Sequence, residues 1–188
     1  MVGHFILVSF LLLPVLTFMV SGQVFWSVNC GASNFYVDGN AMSWMPDTTL
    51  ISNGVARVNC YSYPVTKGEK LLVRASFNYG NYDRALSPPT FDLHFDGNFW
   101  TTVKTSISGA NVYEATYVAK RDSVSVCVDQ TNPGQFPFMS ALEVRSVDLD
   151  GYRVVDENRA LFLISRFSYG ATATLRYIFL EVSQNFSN

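Results

Sequence analysis

Residues 71–100 read LLVRASFNYGNYDRALSPPTFDLHFDGNFW, and they contain two runs in which apolar and polar side chains alternate. In the first run, Leu71, Val73, Ala75 and Phe77 fall on one face of an extended chain, and in the second run residues 91–96 alternate in the same way. Such alternation predicts antiparallel strands, each covering a core with one face and meeting water or a partner with the other. The eleven residues between the runs, 80–90, combine a tyrosine, two prolines and polar groups, and they predict a loop at the edge of the sheet.

Outward from this stretch, further short segments show strand-like patterns. Asp96, Gly97 and Asn98 predict a tight turn into a strand at 99–103, and alternation recurs at 112–118, 123–128 and 138–145. Residues 129–137 predict a second loop, and a helix is possible only at 155–166. At least six or seven closely spaced strands predict an all-β fold of the sandwich type.

The chain is expected to divide into three parts. Residues 1–22 predict a cleaved signal peptide, because 5–20 are almost wholly apolar and Val20-Ser21-Gly22 offers the small residues that signal peptidase reads. The alternative is a membrane anchor, but sixteen residues interrupted by Pro14 fall short of the ~20 that an apolar span needs. Residues 23–170 then form one domain, and 171–188 an irregular C-terminal tail.

The charge and the cysteine content limit the cellular environment and the classes of partner that the sequence predicts. A net charge of −2 without a Lys/Arg cluster argues against nucleic acid, and membrane contact is expected only if the N-terminal apolar segment is retained. Secretion predicts one disulfide among Cys30, Cys60 and Cys127, without specifying which pair closes. Asn185 begins a glycosylation sequon, Asn-Phe-Ser. We therefore expect an extracellular or apoplastic protein, with membrane association as the alternative.

The sequence gives little support for catalysis or for metal binding. Asp92, His94 and Asp96 share one strand face, but alternate residues lie ~7 Å apart whereas zinc ligands each lie ~2 Å from the metal, so a polar outer face explains them better. No G-x-S-x-G elbow occurs, and no pair among carboxylates such as Asp83, Asp92 and Glu143 is marked for glycoside hydrolysis. We expect no enzyme activity, no metal and no cofactor.

Several segments, in register, resemble the malectin-like extracellular domains of plant receptor-like kinases. They are Val28-Asn29-Cys30-Gly31, Met42-Ser43-Trp44, Asn59-Cys60-Tyr61, the 73–77 and 79–83 segments VRASF and YGNYD, Phe91-Asp92-Leu93, the 123–127 segment SVSVC and the 138–143 segment FMSALE. The resemblance spans about residues 24–177, and the RASFNYGNYD and SALE segments are its most specific parts.

The resemblance implies a jelly-roll β-sandwich related to malectin, a disaccharide-binding lectin. The chain departs from the family pattern because the segment between Trp44 and Cys60 is short, and because neither a second lobe, a kinase nor a later membrane helix follows residue 177. It is therefore interpreted as a single secreted malectin-like lobe. Its expected partners are a cell-wall oligosaccharide or, alternatively, a secreted peptide or protein, with a truncated member lacking function as a further alternative.

The loop that follows the first alternating run is the predicted contact site. Tyr79, Asn81, Tyr82 and Asp83 combine aromatic faces with short polar groups, which is the chemistry of sugar recognition. In the competing interpretation, the two tyrosines cap the core and Asp83 forms a turn. Trp44 and the 129–136 loop are candidates to complete a pocket, although Trp44 is expected to pack inside.

Overall fold

The structure is a computed structural model that describes residues 25–39, 42–48, 51–55, 57–147, 154–164 and 181–185. Within these residues all regular structure is β-strand, which confirms the all-β prediction. The strands are β1 Phe25–Asn29, β2 Tyr36–Val37, β3 Ser43–Pro46, β4 Ile51–Val55, β5 Val58–Pro64, β6 Lys70–Phe77, β7 Thr90–Phe95, β8 Asn98–Lys104, β9 Asn111–Val118, β10 Ser123–Gln130, β11 Ala141–Ser146, β12 Arg159–Leu163 and β13 Glu181–Asn185. The predicted signal peptide, residues 1–22, lies outside the described residues.

The strands form two sheets. The eight-stranded sheet has the order β13-β12-β9-β6-β11-β1-β3-β2, and the five-stranded sheet has the order β4-β5-β10-β7-β8. β6 pairs antiparallel with both β9 and β11 at the centre of the larger sheet, whereas β1 and β3 run parallel. Consecutive strands often change sheet, so the connections between them close the ends of a sandwich.

The core contains the inward faces of both alternating runs, as predicted. Leu71, Val73, Ala75 and Phe77 of β6 are fully buried. They join one apolar cluster with buried residues of the five-stranded sheet, among them Phe91, Leu93, Phe95, Val124, Val126 and Val128. Alternation therefore assigned the core face of the central strands correctly.

The opposite face of β6 differs from the expectation that it meets water or a partner. Leu72 is buried in a second apolar cluster with Val118, Val155 and Leu161, and Arg74 is buried beside two glutamates. β6 lies in the interior of an eight-stranded sheet, and Val155, which comes after β11 in the sequence, packs in the apolar cluster on its outer face. A central strand covered on both faces must pair any charge that it carries.

The helix considered for residues 155–166 is wrong where the structure describes them, because Arg159–Leu163 forms strand β12. Ala160 and Phe162 join the main core, whereas Leu161 joins the second cluster, so the side chains alternate between the two faces. Residues 181–185, within the stretch expected to be an irregular tail, form β13 and pair with β12. The pairing satisfies backbone groups of β12 that a sheet edge would leave exposed.

One disulfide joins Cys60 on β5 to Cys127 on β10, and the third cysteine, Cys30, is a free thiol. Cys60 and Cys127 are directly opposite in the antiparallel pairing, with their Cα atoms 4.1 Å apart. Burial raises the pKa of the Cys30 thiol to about 12, although a hydrogen bond with Tyr61 acts in the lowering direction. Because the thiolate is the reactive form, Cys30 is a poor nucleophile at neutral pH.

Candidate functional site

Three connections cross between the sheets at the same end of the sandwich, and we call residues 78–89, 105–110 and 131–140 the loop rim. Hydrogen bonds join the three connections to one another. The backbone N–H of Asn78 donates to Ser140 Oγ at 2.9 Å, and the Thr105 hydroxyl donates to the Pro89 carbonyl at 2.7 Å. The rim is thus one continuous surface rather than three separate loops.

Tyr79 is buried beneath the rim and is held by Asp83. Its side chain is only 1% exposed, and its hydroxyl donates to Asp83 Oδ1, which also accepts the backbone N–H of Ala85 at 3.1 Å. The hydrogen bond from Tyr79 is the main reason that the pKa of the Asp83 carboxyl lies below its usual value. The same bond chiefly raises the pKa of Tyr79, because the neighbouring carboxylate favours the protonated phenol.

Asn81 fixes the rest of the same loop. Its Oδ1 accepts the backbone N–H of Leu86 at 2.8 Å, and its carbonyl accepts the N–H of Arg84 at 3.0 Å. Asn81, Arg84 and Leu86 all have positive φ angles, of 56°, 60° and 52°. Asparagine tolerates this conformation, but arginine and leucine rarely adopt it. The hydrogen bonds of Asn81 therefore offset the conformational free energy that the positive φ angles of Arg84 and Leu86 cost.

Tyr82 is the one predicted contact residue whose ring is presented outward. It is 63% exposed, and its ring lies edge-on to Tyr79 and to Phe138, with centroid distances of 5.5 and 5.8 Å. The structure therefore brings the four predicted residues together but gives them different tasks. Tyr79 covers the end of the core, Asn81 and Asp83 hold the loop, and Tyr82 is available for contact.

Other exposed apolar side chains lie on the rim. They are Leu86 on the first connection, Ile107 on the second and Phe136 on the third. Phe136 belongs to the 129–136 loop that the sequence makes a candidate to complete a pocket, whereas neither Leu86 nor Ile107 is predicted as a contact residue. The signal that could have found them is an apolar residue inside a segment otherwise composed of turn formers.

Trp44 lies away from the rim, on β3 near the edge of the eight-stranded sheet. Its ring stacks on Tyr36 with a centroid distance of 6.2 Å, and its indole N–H donates to Asp38 Oδ2 at 3.0 Å. Trp44 is half-buried at this edge rather than packed inside as expected, because β3 has only the two-residue strand β2 beyond it.

Asp92, His94 and Asp96 do not converge on a common point. Asp92 accepts the Thr102 hydroxyl at 2.7 Å, whereas Asp96 lies in the turn after β7 and accepts the Tyr117 hydroxyl at 2.9 Å. In the part of the chain that the structure describes, no group of three or more His, Cys, Asp or Glu side chains is placed to hold a metal ion. No helix in that part is long and apolar enough to cross a membrane.

The fold is that of plant receptor-kinase ectodomains. The ANXUR1 extracellular domain of Arabidopsis thaliana superimposes with a TM-score of 0.58 at 15% identity, covering 66% of this chain and 42% of that one. The plant receptor-like kinase FER superimposes with a TM-score of 0.58 at 16% identity, covering 75% and 47%. FER also matches in a complex with the peptide RALF23 and with LLG2, with a TM-score of 0.56 at 16% identity, covering 75% and 47%.

The chain belongs to the malectin-like family, whose domain model matches residues 55–179. It is 30% identical over 191 residues to the Arabidopsis thaliana protein At1g24485, covering 89% of this chain and 38% of that protein. It is 36% identical over 124 residues to the Arabidopsis thaliana probable LRR receptor-like kinase At1g51860, covering 65% of this chain and 14% of the kinase. The chain thus spans less than half the length of these relatives.

We expect Tyr79→Phe to lower Tm by a few degrees at pH 7, because it removes the hydroxyl bound by Asp83 while keeping the buried ring. The folded-state pKa of Asp83 is depressed, so the stability gained from its ionised form is present above the unfolded pKa, near 3.8, and is lost as pH falls through the folded pKa. The difference in Tm between wild type and variant should therefore shrink below pH 3.8. Tyr82→Phe is the control, and an equal loss in both variants would contradict the assignment.

Proposed function

We propose that this chain is a non-catalytic extracellular recognition module that binds a peptide or protein segment through the loop rim. One observation carries the proposal: Tyr82, Leu86, Ile107 and Phe136 expose apolar side chains there. The proposal includes removal of residues 1–22 as a signal peptide and glycosylation at Asn185.

The state of the polar groups on the rim favours a peptide over a sugar at this position. A sugar site needs short polar side chains that are free to bind ring hydroxyls beside an aromatic face. Here Asp83 Oδ1 already accepts from Tyr79 and Ala85, and Asn81 Oδ1 accepts from Leu86. These hydrogen bonds hold the loop itself, and the large apolar side chains that the loop leaves exposed to a partner are Tyr82 and Leu86.

The chemistry of the exposed side chains points the same way. Leu86 and Ile107 are aliphatic, so they lack the flat π-face on which a sugar ring stacks. Apolar anchors on a surface held rigid by hydrogen bonds are typical of protein interfaces, because little conformational entropy is lost on binding. The FER complex with RALF23 and LLG2 shows that a protein of this fold takes part in a peptide complex.

Selection from a displayed library of random peptides tests this proposal and does not require the identity of the natural partner. Peptides selected on the wild-type protein should bind at least about tenfold more weakly to the double variant Tyr82→Ala, Phe136→Ala, because each ring buries apolar area worth more than about 1 kcal/mol. Affinities are measured by calorimetry, and circular dichroism checks that the variant is folded.

Phe99→Ala is the matched control, since Phe99 on β8 is 55% exposed and Phe136 on the rim is 54% exposed. The control should keep the selected peptides within about twofold of wild-type affinity. Unchanged affinity in the double variant would reject the rim as the recognition surface.

A further inference from the structure

The loop rim carries one cationic side chain, Arg84. No other Lys or Arg occurs in residues 78–89, 105–110 and 131–140, and Asp83 is the one acidic residue there. Arg84 is exposed, and it lies in the chain between Tyr82 and Leu86, which are 63% and 68% exposed. The rim therefore combines a single accessible positive charge with apolar side chains on both sides of it in the sequence.

The backbone at Arg84 adopts a conformation that arginine rarely takes. Its φ angle is 60°, in the left-handed region that asparagine and glycine enter more readily. The N–H of Arg84 donates to the Asn81 carbonyl at 3.0 Å, and the N–H of Leu86 donates to Asn81 Oδ1 at 2.8 Å, so one asparagine holds both residues. Residues kept in such unfavourable conformations cluster at ligand clamps, which makes Arg84 a candidate contact residue.

The guanidinium of Arg84 is not used within the fold. In the part of the chain that the structure describes, the arginines that form ion pairs are Arg74, Arg121, Arg145 and Arg159. The neighbouring carboxylate of Asp83 instead accepts the Tyr79 hydroxyl and the Ala85 N–H through Oδ1. A guanidinium binds a carboxylate through two parallel hydrogen bonds, so an exposed arginine held in place recognises this group with a defined orientation.

We propose that the segment bound at the loop rim carries a carboxylate beside apolar side chains, and that Arg84 binds this carboxylate while Tyr82 and Leu86 contact the apolar groups. The carboxylate belongs either to an aspartate or glutamate side chain or to the C-terminus of the segment. This inference rests on the proposed function, since it names the chemistry of the peptide that the same surface recognises. A basic group at this position is disfavoured, because its charge would meet that of Arg84.

Calorimetry on the peptides selected from the random library tests the role of Arg84. Arg84→Asn should weaken their binding about tenfold, because a charge-assisted hydrogen bond is lost. Asparagine accepts a positive φ angle, so this variant should keep or raise the Tm of the wild-type protein. The control is Lys67→Asn, which removes an exposed cation from the turn between β5 and β6, at the opposite end of β6 from the rim. It should leave the affinity within about twofold of wild type.

Two modified forms of each selected peptide locate the carboxylate. Exchanging aspartate or glutamate for its amide removes the side-chain source, and amidation of the C-terminus removes the other. The form that lacks the bound carboxylate should bind the wild-type protein about tenfold more weakly than the unmodified peptide does. Arg84→Asn should bind both forms equally, because the two changes remove the same interaction.

Three results would overturn the inference: Arg84→Asn binds the selected peptides as wild type, Lys67→Asn weakens them equally, or neither peptide modification changes the affinity. Each leaves the proposed function standing if the double variant Tyr82→Ala, Phe136→Ala still loses the peptides. Full binding by that double variant, or a selection that yields no peptide, rejects the recognition surface itself and this inference with it.

Discussion

Replacing Arg74 by methionine is expected to lower the free energy of unfolding by about 4 kcal/mol. Arg74 is 8% exposed, and its guanidinium donates to Glu114 Oε1 at 2.6 Å and to Glu143 Oε1 at 3.3 Å. Burial acts to lower the pKa of Arg74, but the two carboxylates raise it by more, so the net direction is upward. Methionine keeps the apolar stem but leaves both carboxylates without this cation in a buried site.

The control for this prediction is the same substitution at an exposed ion pair. Arg159→Met removes a guanidinium 2.6 Å from Asp156, where both side chains are exposed to water. The urea midpoint of Arg159→Met should lie close to that of the wild-type protein, because exposed ion pairs contribute little to stability. Adding Glu114→Gln to Arg74→Met should recover part of the loss, and equal midpoints for the two single arginine variants would contradict this explanation.

Removing the disulfide should have an effect of similar size. The Cys60→Ala, Cys127→Ala variant is expected to lose about 4 kcal/mol of stability on the chain-entropy estimate, because a cross-link between residues 67 positions apart restricts the unfolded chain strongly. Guanidinium denaturation under non-reducing conditions measures the loss. Cys30→Ala, which removes the free thiol and no cross-link, should cost much less.

A different pairing of the cysteines would reverse the expected order of these variants. If Cys30→Ala proved as destabilising as the double variant, Cys30 would have to belong to the cross-link. Peptide mapping of the oxidised protein then decides directly which two cysteines are joined.

Much of the fold could be predicted from the sequence because period-two alternation reports directly on burial. Phe77 and Phe91 lie on the predicted core faces, and the sandwich follows from the number and spacing of the strands. The outer face of β6 could not be predicted, because alternation does not show whether later parts of the chain cover that face. From the alternation alone, Arg74 is predicted to lie on the surface. In the structure, the pairing of β6 with β9 and β11 places Glu114 and Glu143 on either side of it.

The candidate site could be located but not divided into roles. The sequence groups Tyr79 with Tyr82, yet one ring is buried and the other is exposed, since only the first follows the alternation of β6. The exposure of Leu86 could not be predicted, because a single apolar residue in a loop has no periodicity. Its outward placement depends on a positive φ angle held by Asn81, which no local pattern encodes.

Hydrogen–deuterium exchange with and without a library-selected peptide tests most directly whether the loop rim is the recognition surface. We predict slower exchange in residues 78–89 and 131–140 when the peptide is bound, with β8 unchanged. Slower exchange confined to β8 and the outer face of the five-stranded sheet, with the rim unchanged, would contradict the proposed function.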